Sequence, residues 1–226
     1  MKFINIEGLD GSGKSTQVKL LREYFEKNNI RYEYIHFPIL TSPVFGDMIA
    51  RFLRGELGDN DKVDPYLVAM LYAGDRNNMA EKIRKWLSEK TYVLIDRYVM
   101  SNIAYQCAKV SDSNKREELR KWILDLEYNY YGIPKPDINI YLDVPFKFTE
   151  QQLTNTRKGD DRDYLNGKTD IHEDDLSFQQ RVKKVYNYHA EKSDDIVKLK
   201  CSDDNGNMLD KDTIFGKLID TVKELL

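Results

Sequence analysis

Gly8-Leu9-Asp10-Gly11-Ser12-Gly13-Lys14-Ser15 decides the fold of this 226-residue chain. It fits the pattern GxxxxGK[ST] at every fixed position. A β-rich run, Lys2–Ile6, leads into it, and Val18, Leu21 and Phe25 follow it at the three- and four-residue spacings of a helix. Strand, glycine-rich turn and helix in that order form the context this pattern needs. Each residue type has a physical reason. Glycines let the backbone curl so that several N–H groups face one phosphate. The helix behind them offers its positive N-terminal end. Lys14 can reach the β- and γ-phosphates as a point charge, and Ser15 can offer a hydroxyl to Mg²⁺. Gly8, Asp10, Gly11, Ser12, Gly13, Lys14, Ser15 and Thr16 are therefore the expected nucleoside-triphosphate site.

Outward from the loop, short apolar runs alternate with helical periodicities. Tyr32–Phe37, Tyr92–Asp96, Ile138–Asp143 and Ile196–Leu199 read as further strands, apolar enough to be buried on both faces. Asp64-Pro65 is a helix-start signal. Leu67, Leu71, Ile83 and Leu87 suggest a long helix after it. Leu119, Trp122, Ile123, Leu126 and Tyr130 form one apolar face, Phe178, Val182, Val185, Tyr186 and His189 another, and Phe215, Leu218, Val222 and Leu225 a last one. This alternation predicts an α/β fold: a three-layer P-loop sandwich with a five-stranded parallel sheet flanked by helices. The length fits a single domain over residues 1–226. Arg157–Asp175 breaks the pattern with polar residues and two glycines. It reads as a solvated loop or as a lid segment, about 157–175, with little to bury.

Composition removes several classes. The 35 Lys and Arg nearly balance 38 Asp and Glu, for a net charge of -3. No basic excess exists to neutralise a nucleic-acid backbone. No run approaches the ~20 apolar residues of a membrane span, and the first residues are not expected to be a signal peptide. Cys107 and Cys201 make no CxxC motif, which suits reduced thiols and a cytoplasmic setting. His36, His172 and His189 are not at metal-ligand spacing, and His172 reads as a solvated histidine.

The loop alone does not separate a kinase from a GTPase. Asn114-Lys115-Arg116-Glu117 ends in Glu and follows no strand, and Val99 stands where a GTPase has the glycine of DxxG. The acceptor side is more informative. Asp96, at the carboxyl end of the third strand, is well placed for the Mg²⁺ shell. Arg97 can clamp a second phosphate bidentately. Ser101, Asn102 and Tyr105 share one helical face, bringing a hydroxyl, an amide and a ring to one pocket. Tyr72 and Arg76, at i and i+4, offer a ring to stack on a base and a guanidinium to donate to it.

With those residues in place the chain resembles thymidylate kinases, over nearly its whole length. The resemblance runs through Ile6–Gln17, Phe37-Pro38 and Asp75-Arg76. It continues in Asp96-Arg97-Tyr98-Val99-Met100-Ser101-Asn102-Ile103-Ala104-Tyr105-Gln106, in Pro136-Asp137 and Ile140–Pro145, and in Asp170-Ile171-His172-Glu173 leading to Phe178 and Tyr186. The stretch from Asp96 to Gln106 is its most specific part.

The resemblance implies an enzyme that phosphorylates dTMP to dTDP with ATP and Mg²⁺, working as a homodimer. It implies that Asp10 meets the sugar 3′-hydroxyl and that Phe37 and Pro38 shape the acceptor side. Tyr72 would stack on thymine, Arg76 would bond a base carbonyl, and Ser101 and Asn102 would read the base edge. Tyr105 would crowd the sugar 2′ position, Arg97 would bridge the two phosphates, and Glu173 would line the acceptor site. Two departures stand out. Ile39, Leu40 and Thr41 follow Phe-Pro where many relatives have an arginine, and Gly11 stands where some have an arginine in the loop. That duty shifts to Arg157 or Arg162 in the lid. Two other readings remain: a deoxynucleoside kinase, with Glu7 or Asp96 as general base, and a non-catalytic nucleotide sensor.

Overall fold

A computed structural model of the protein describes residues 2–154 and 160–225, with side chains described for all of these except 160–162. Five strands form one all-parallel sheet: β1 (Phe3–Glu7), β2 (Tyr32–His36), β3 (Tyr92–Asp96), β4 (Ile138–Asp143) and β5 (Ile196–Lys200). Their order across the sheet is β2-β3-β1-β4-β5, so the strand feeding the glycine-rich loop lies at the centre. Ile4 of β1 pairs with Leu94 of β3 on one side and Ile138 of β4 on the other.

All five residues of β1 are buried, and they feed two cores. Phe3, Val93 and Ile95 pack on one face with Tyr98, Leu119 and Phe178. Ile4, Ile6 and Leu94 pack on the other with Val18, Leu21, Phe25 and Leu218. Burial on both faces explains why these strands read as continuous apolar runs and not as alternations.

Helix α1 (Lys14–Lys27) follows the loop, and α2 (Phe45–Leu53) and α3 (Pro65–Ser88) precede β3. Helix α4 (Val99–Cys107) leaves β3 almost at once. Helix α5 (Ser113–Leu124) runs directly into a wide π-helical turn, Asp125–Tyr130. Helices α6 (Phe146–Thr154), α7 (Leu176–Lys192) and α8 (Lys211–Val222) complete the chain. The expected cap at Asp64 is present, its carboxylate accepting from Tyr66 N–H at 2.8 Å with Pro65 in the first turn.

Three expectations need correction. Leu67 and Tyr130, assigned to buried faces, are 55% and 79% exposed. On α3 the inward side is instead made of Val68, Ala69, Ala73, Arg76, Ala80 and Ile83, mostly small residues whose weak apolar signal is easily missed. The segment expected to bury little holds a short 3₁₀ turn, Asp160–Leu165, and buries Leu165, Asp170 and His172. It leans on α2: Arg54 donates to Tyr164 O at 2.6 Å, and Ile171 N–H donates to Leu53 O at 3.0 Å.

Both cysteine thiols are free and buried. Among the described residues no helix is long and apolar enough to cross a membrane.

Candidate active site

Strands β1 and β3 end side by side, and a cavity of about 710 Å³ opens at their carboxyl ends. The glycine-rich loop forms one end of it. Gly11 and Gly13 take φ of 70° and 80°, the left-handed region where a side chain is disfavoured, and so turn the loop around its phosphate cradle. Gly8 does not line the cavity. A Cβ there would sit 2.8 Å from Ser12 Oγ, so Gly8 makes room for the loop to fold over itself. Lys14 is buried, and its Nζ caps Leu9 O at 3.3 Å. Burial, then the Arg97 charge, pulls its pKa down to about 8. Ser12 Oγ is buried without a protein partner.

The residues at this end fit a divalent cation. Asp96 is buried, its Oδ2 meets His36 Nδ1 at 3.2 Å, and its Oδ1 has no partner. Burial pushes its carboxyl up, but Lys14 and His36 outweigh that and hold it at about 2. The Ser15 hydroxyl is exposed on the same cavity. Among the described residues no cluster of three or more His, Cys, Asp or Glu could hold a metal alone. Mg²⁺ keeps waters and phosphate oxygens as most of its ligands, so one carboxylate and one hydroxyl are donors of the kind it takes.

The middle of the cavity is a charge pair. Arg97 Nη2 donates to Asp10 Oδ1 at 2.6 Å, joining the end of β3 to the loop. Asp10 Oδ2 accepts from Tyr105 OH at 2.7 Å and from Gln179 Nε2 at 2.9 Å. Burial raises the Asp10 carboxyl, yet Arg97 and Lys14 together lower it well below the ordinary range.

The far end gathers Tyr72, Arg76, Ser101, Asn102, Tyr105 and Glu173, and Phe37, Pro38 and Ile39–Thr41 form its side. Arg76 differs from expectation. Its Nε and Nη2 are committed to the buried Glu127 at 2.5 and 2.7 Å, and neither bond uses Nη1. Asn102 Nδ2 donates to Ala69 O and to Glu127 Oε1, at 3.0 and 2.9 Å. Its Oδ1 is left as a buried acceptor without a partner. Ser101 is busier than the base-reading role needs: its Oγ contacts Glu7, Arg97 and Tyr186.

His172, expected in solvent, is buried among the rings of Phe52, Tyr105 and Phe178, and burial drops its pKa to about 3. Next to it, burial and then Asp10 push the Asp170 carboxyl up to about 7. Arg157 lies outside the described residues, and the Arg162 side chain does too. Glu127, Gln179 and the buried His172 were missed by sequence reasoning. The first two carry no motif, and His172 lies in a stretch that reads as polar loop.

The family model described as thymidylate kinase matches residues 6–208. A probable thymidylate kinase of Thermococcus kodakarensis is 31% identical over 229 positions, covering 99% of this chain and 98% of its own. The thymidylate kinase of Plasmodium falciparum is 27% identical over 214, covering 92% and 95%. The solved structure of thymidylate kinase from Candida albicans superposes with a TM-score of 0.71 at 23% identity, over 99% of this chain and 92% of that one, and so shares its fold. The matched span takes in every residue that lines the cavity, and the chain belongs to the thymidylate kinase family.

Proposed function

We propose that this chain carries out its family's reaction, dTMP to dTDP, by moving the γ-phosphoryl group of ATP along the cavity from the loop end toward Arg97. One observation carries the reading: a single cavity runs from Lys14 to Asn102, with the Asp10–Arg97 pair between them. A GTPase or a sensor has no use for the second half of such a cavity.

The attacking atom is a phosphate oxygen of dTMP, already anionic, so catalysis rests on positioning and charge stabilisation. Lys14 and the backbone N–H groups of Gly11, Gly13 and Ser15 hold the donor phosphates. Ser15 and Asp96 would hold Mg²⁺, which neutralises charge on the donor oxygens when bound. Arg97 bridges donor and acceptor phosphates. Asp10 orients Arg97 and accepts from the sugar 3′-hydroxyl, and Tyr105 closes the space beside the sugar. Tyr72 stacks on the base, with Arg76 Nη1 facing a base carbonyl. The free acceptor on Asn102 suits the N3–H of thymine and repels cytosine, whose N3 is itself an acceptor. Residues 157–175 act as the lid that excludes water, with Arg157 or Arg162 supplying a further cation.

A deoxynucleoside kinase needs a carboxylate free to take a proton from a hydroxyl. Glu7 spends both its oxygens on hydrogen bonds inside the protein, and the free oxygen of Asp96 is the one assigned to Mg²⁺ on this reading. The test is an acceptor panel with ATP and Mg²⁺. dTMP should be used best, dUMP less well, and dCMP, AMP and thymidine least. Preference for thymidine over dTMP would reverse the reading.

Val44, Leu67 and Met70 are large apolar side chains exposed at the start of α2 and along α3, two helices packed together. They support a homodimer through this face, which sedimentation at twice the chain mass would verify. The net charge of -3 favours an enzyme with no nucleic-acid partner, and the free thiols of Cys107 and Cys201 favour a cytoplasmic setting.

A further inference from the structure

Arg97 stands at φ 67°, a backbone conformation that non-glycine residues adopt only when their surroundings enforce it. The enforcing group comes from the neighbouring strand. Glu7, 1% exposed at the end of β1, takes Tyr98 N–H at 2.8 Å and Ser101 N–H at 3.3 Å on Oε1. The first belongs to Tyr98, the cap residue of α4, which makes no side-chain capping bond of its own, and the second to the first turn of that helix. Glu7 therefore caps α4 from another element and clamps the residue on the far side of Arg97. Asn5 Nδ2 and Tyr186 OH donate to the same carboxyl at 2.9 and 2.8 Å, which fixes it from both flanks.

Ser101 extends the clamp to the guanidinium. Its hydroxyl has one proton, and Glu7 Oε2 takes it at 2.6 Å. The lone pairs of Oγ are thereby turned outward, and Arg97 Nη1 donates to them at 3.1 Å. Asp10 takes Nη2 at 2.6 Å. The guanidinium is thus held at Nη2 by Asp10 of the phosphate loop and, at 3.3 Å, by Tyr105 OH, and at Nη1 by Glu7 through Ser101.

We propose that Glu7 and Ser101 are a positioning pair that sets the Arg97 guanidinium between the two phosphates, and that Ser101 serves the arginine and not the thymine base. The proposal rests on Arg97 bridging the phosphates. That premise is tested first: an Arg97→Ala enzyme that turns over at the wild-type rate removes it before the pair is examined.

The experiment is a double-mutant cycle of Ser101→Ala and Arg97→Ala, read as kcat and as KM for dTMP, dUMP and dCMP. In the wild-type background Ser101→Ala should lower kcat about tenfold and leave the ratios among the three acceptors within about twofold. In the Arg97→Ala background the same change should cost less than about twofold, because the group it positions is gone. Equal losses in both backgrounds would overturn the proposal. So would a loss confined to KM with an altered dTMP-to-dCMP ratio, which is the signature of base reading. Glu7→Gln, checked by thermal unfolding, should reproduce the kcat loss if it folds. If it does not fold, the Ser101 cycle decides alone.

Discussion

At the donor end of the cavity one octapeptide supplies almost everything, whereas at the acceptor end α3, α4, the turn after α5 and α7 each supply between one and three side chains. On the proposed reading the donor end works through backbone N–H groups and a helix terminus, so it would need few specific side chains beyond Lys14. The acceptor end works through side chains that are themselves held by other buried side chains. Changes at the first should therefore act on chemistry with little effect on stability. Changes at the second should act on both.

The largest contrast lies between two substitutions. Lys14→Ala should cut kcat by at least about 10³-fold, the scale of losing a principal electrostatic stabiliser. Its melting temperature should stay within about 2 °C of wild type, since among the described residues its Nζ donates only to Leu9 O. Turnover near wild type would break the donor-end assignment. Glu127→Ala should behave oppositely. It leaves the Arg76 guanidinium buried without its counter-ion, a loss of about 3–5 kcal/mol that urea unfolding would read directly. A stability change under about 1 kcal/mol would show that the pair is not a support at all.

Arg97→Ala, at the junction of the two ends, comes next. It should lower kcat about 100-fold and leave the fold intact, because Asp10 keeps Tyr105 and Gln179 as partners. Unchanged turnover would remove Arg97 from the bridge.

The smallest effect sharpens the acceptor end alone. Asp170 sits beside Asp10, with Tyr164 OH donating to one of its oxygens at 2.6 Å and His172 N–H to the other at 2.8 Å. Its carboxyl titrates at about 7 in the fold against about 4 in an unfolded chain. A carboxyl raised in this way weakens the fold as pH climbs from about 4 to about 7, and the full penalty stands above that window. Asp170→Asn removes the charge, keeps one oxygen to accept from His172 N–H, and turns the other bond round, its amide nitrogen donating to the Tyr164 hydroxyl oxygen. Melting curves should show a gain of a few degrees at pH 8 that vanishes near pH 4. An equal gain at both would assign the effect to packing.

The same contrast explains what could be read from the chain. The donor end is contiguous, and its glycines, Lys14 and the flanking periods lie within one window. The sheet was legible for a similar reason, since each strand is a short uninterrupted apolar run. Ser101, Asn102 and Tyr105 were legible as a face because they fall on one short helix. Arg76 and Glu127 are 51 residues apart, and nothing in either neighbourhood marks them as partners. The sequence therefore shows Arg76 only as a guanidinium able to donate to a base, not as the partner of a buried glutamate. Ser101 was read by its helical face, and only its contacts with Glu7 from another strand show where its proton goes. Helix α2 was missed because its N-cap, Val44, is a residue type that gives no start signal. His172 was misjudged because its three ring neighbours come from α2, α4 and α7.

Glu127 owes its position to the wide turn after α5. Tyr131 N–H reaches back five residues to Leu126 O, so that stretch holds more residues per turn than an α-helix would. Counting then matters as much as chemistry. Deleting Asp125 would advance Glu127 by one position, about 100° around the helix axis. The glutamate would leave Arg76 and Asn102 together. Such a chain would keep every side chain that faces a nucleotide, and would still lose the spacing that aims two of them. On the proposed roles of Arg76 and Asn102, thymine recognition would be partly encoded in the length of a helix that lines no part of the cavity.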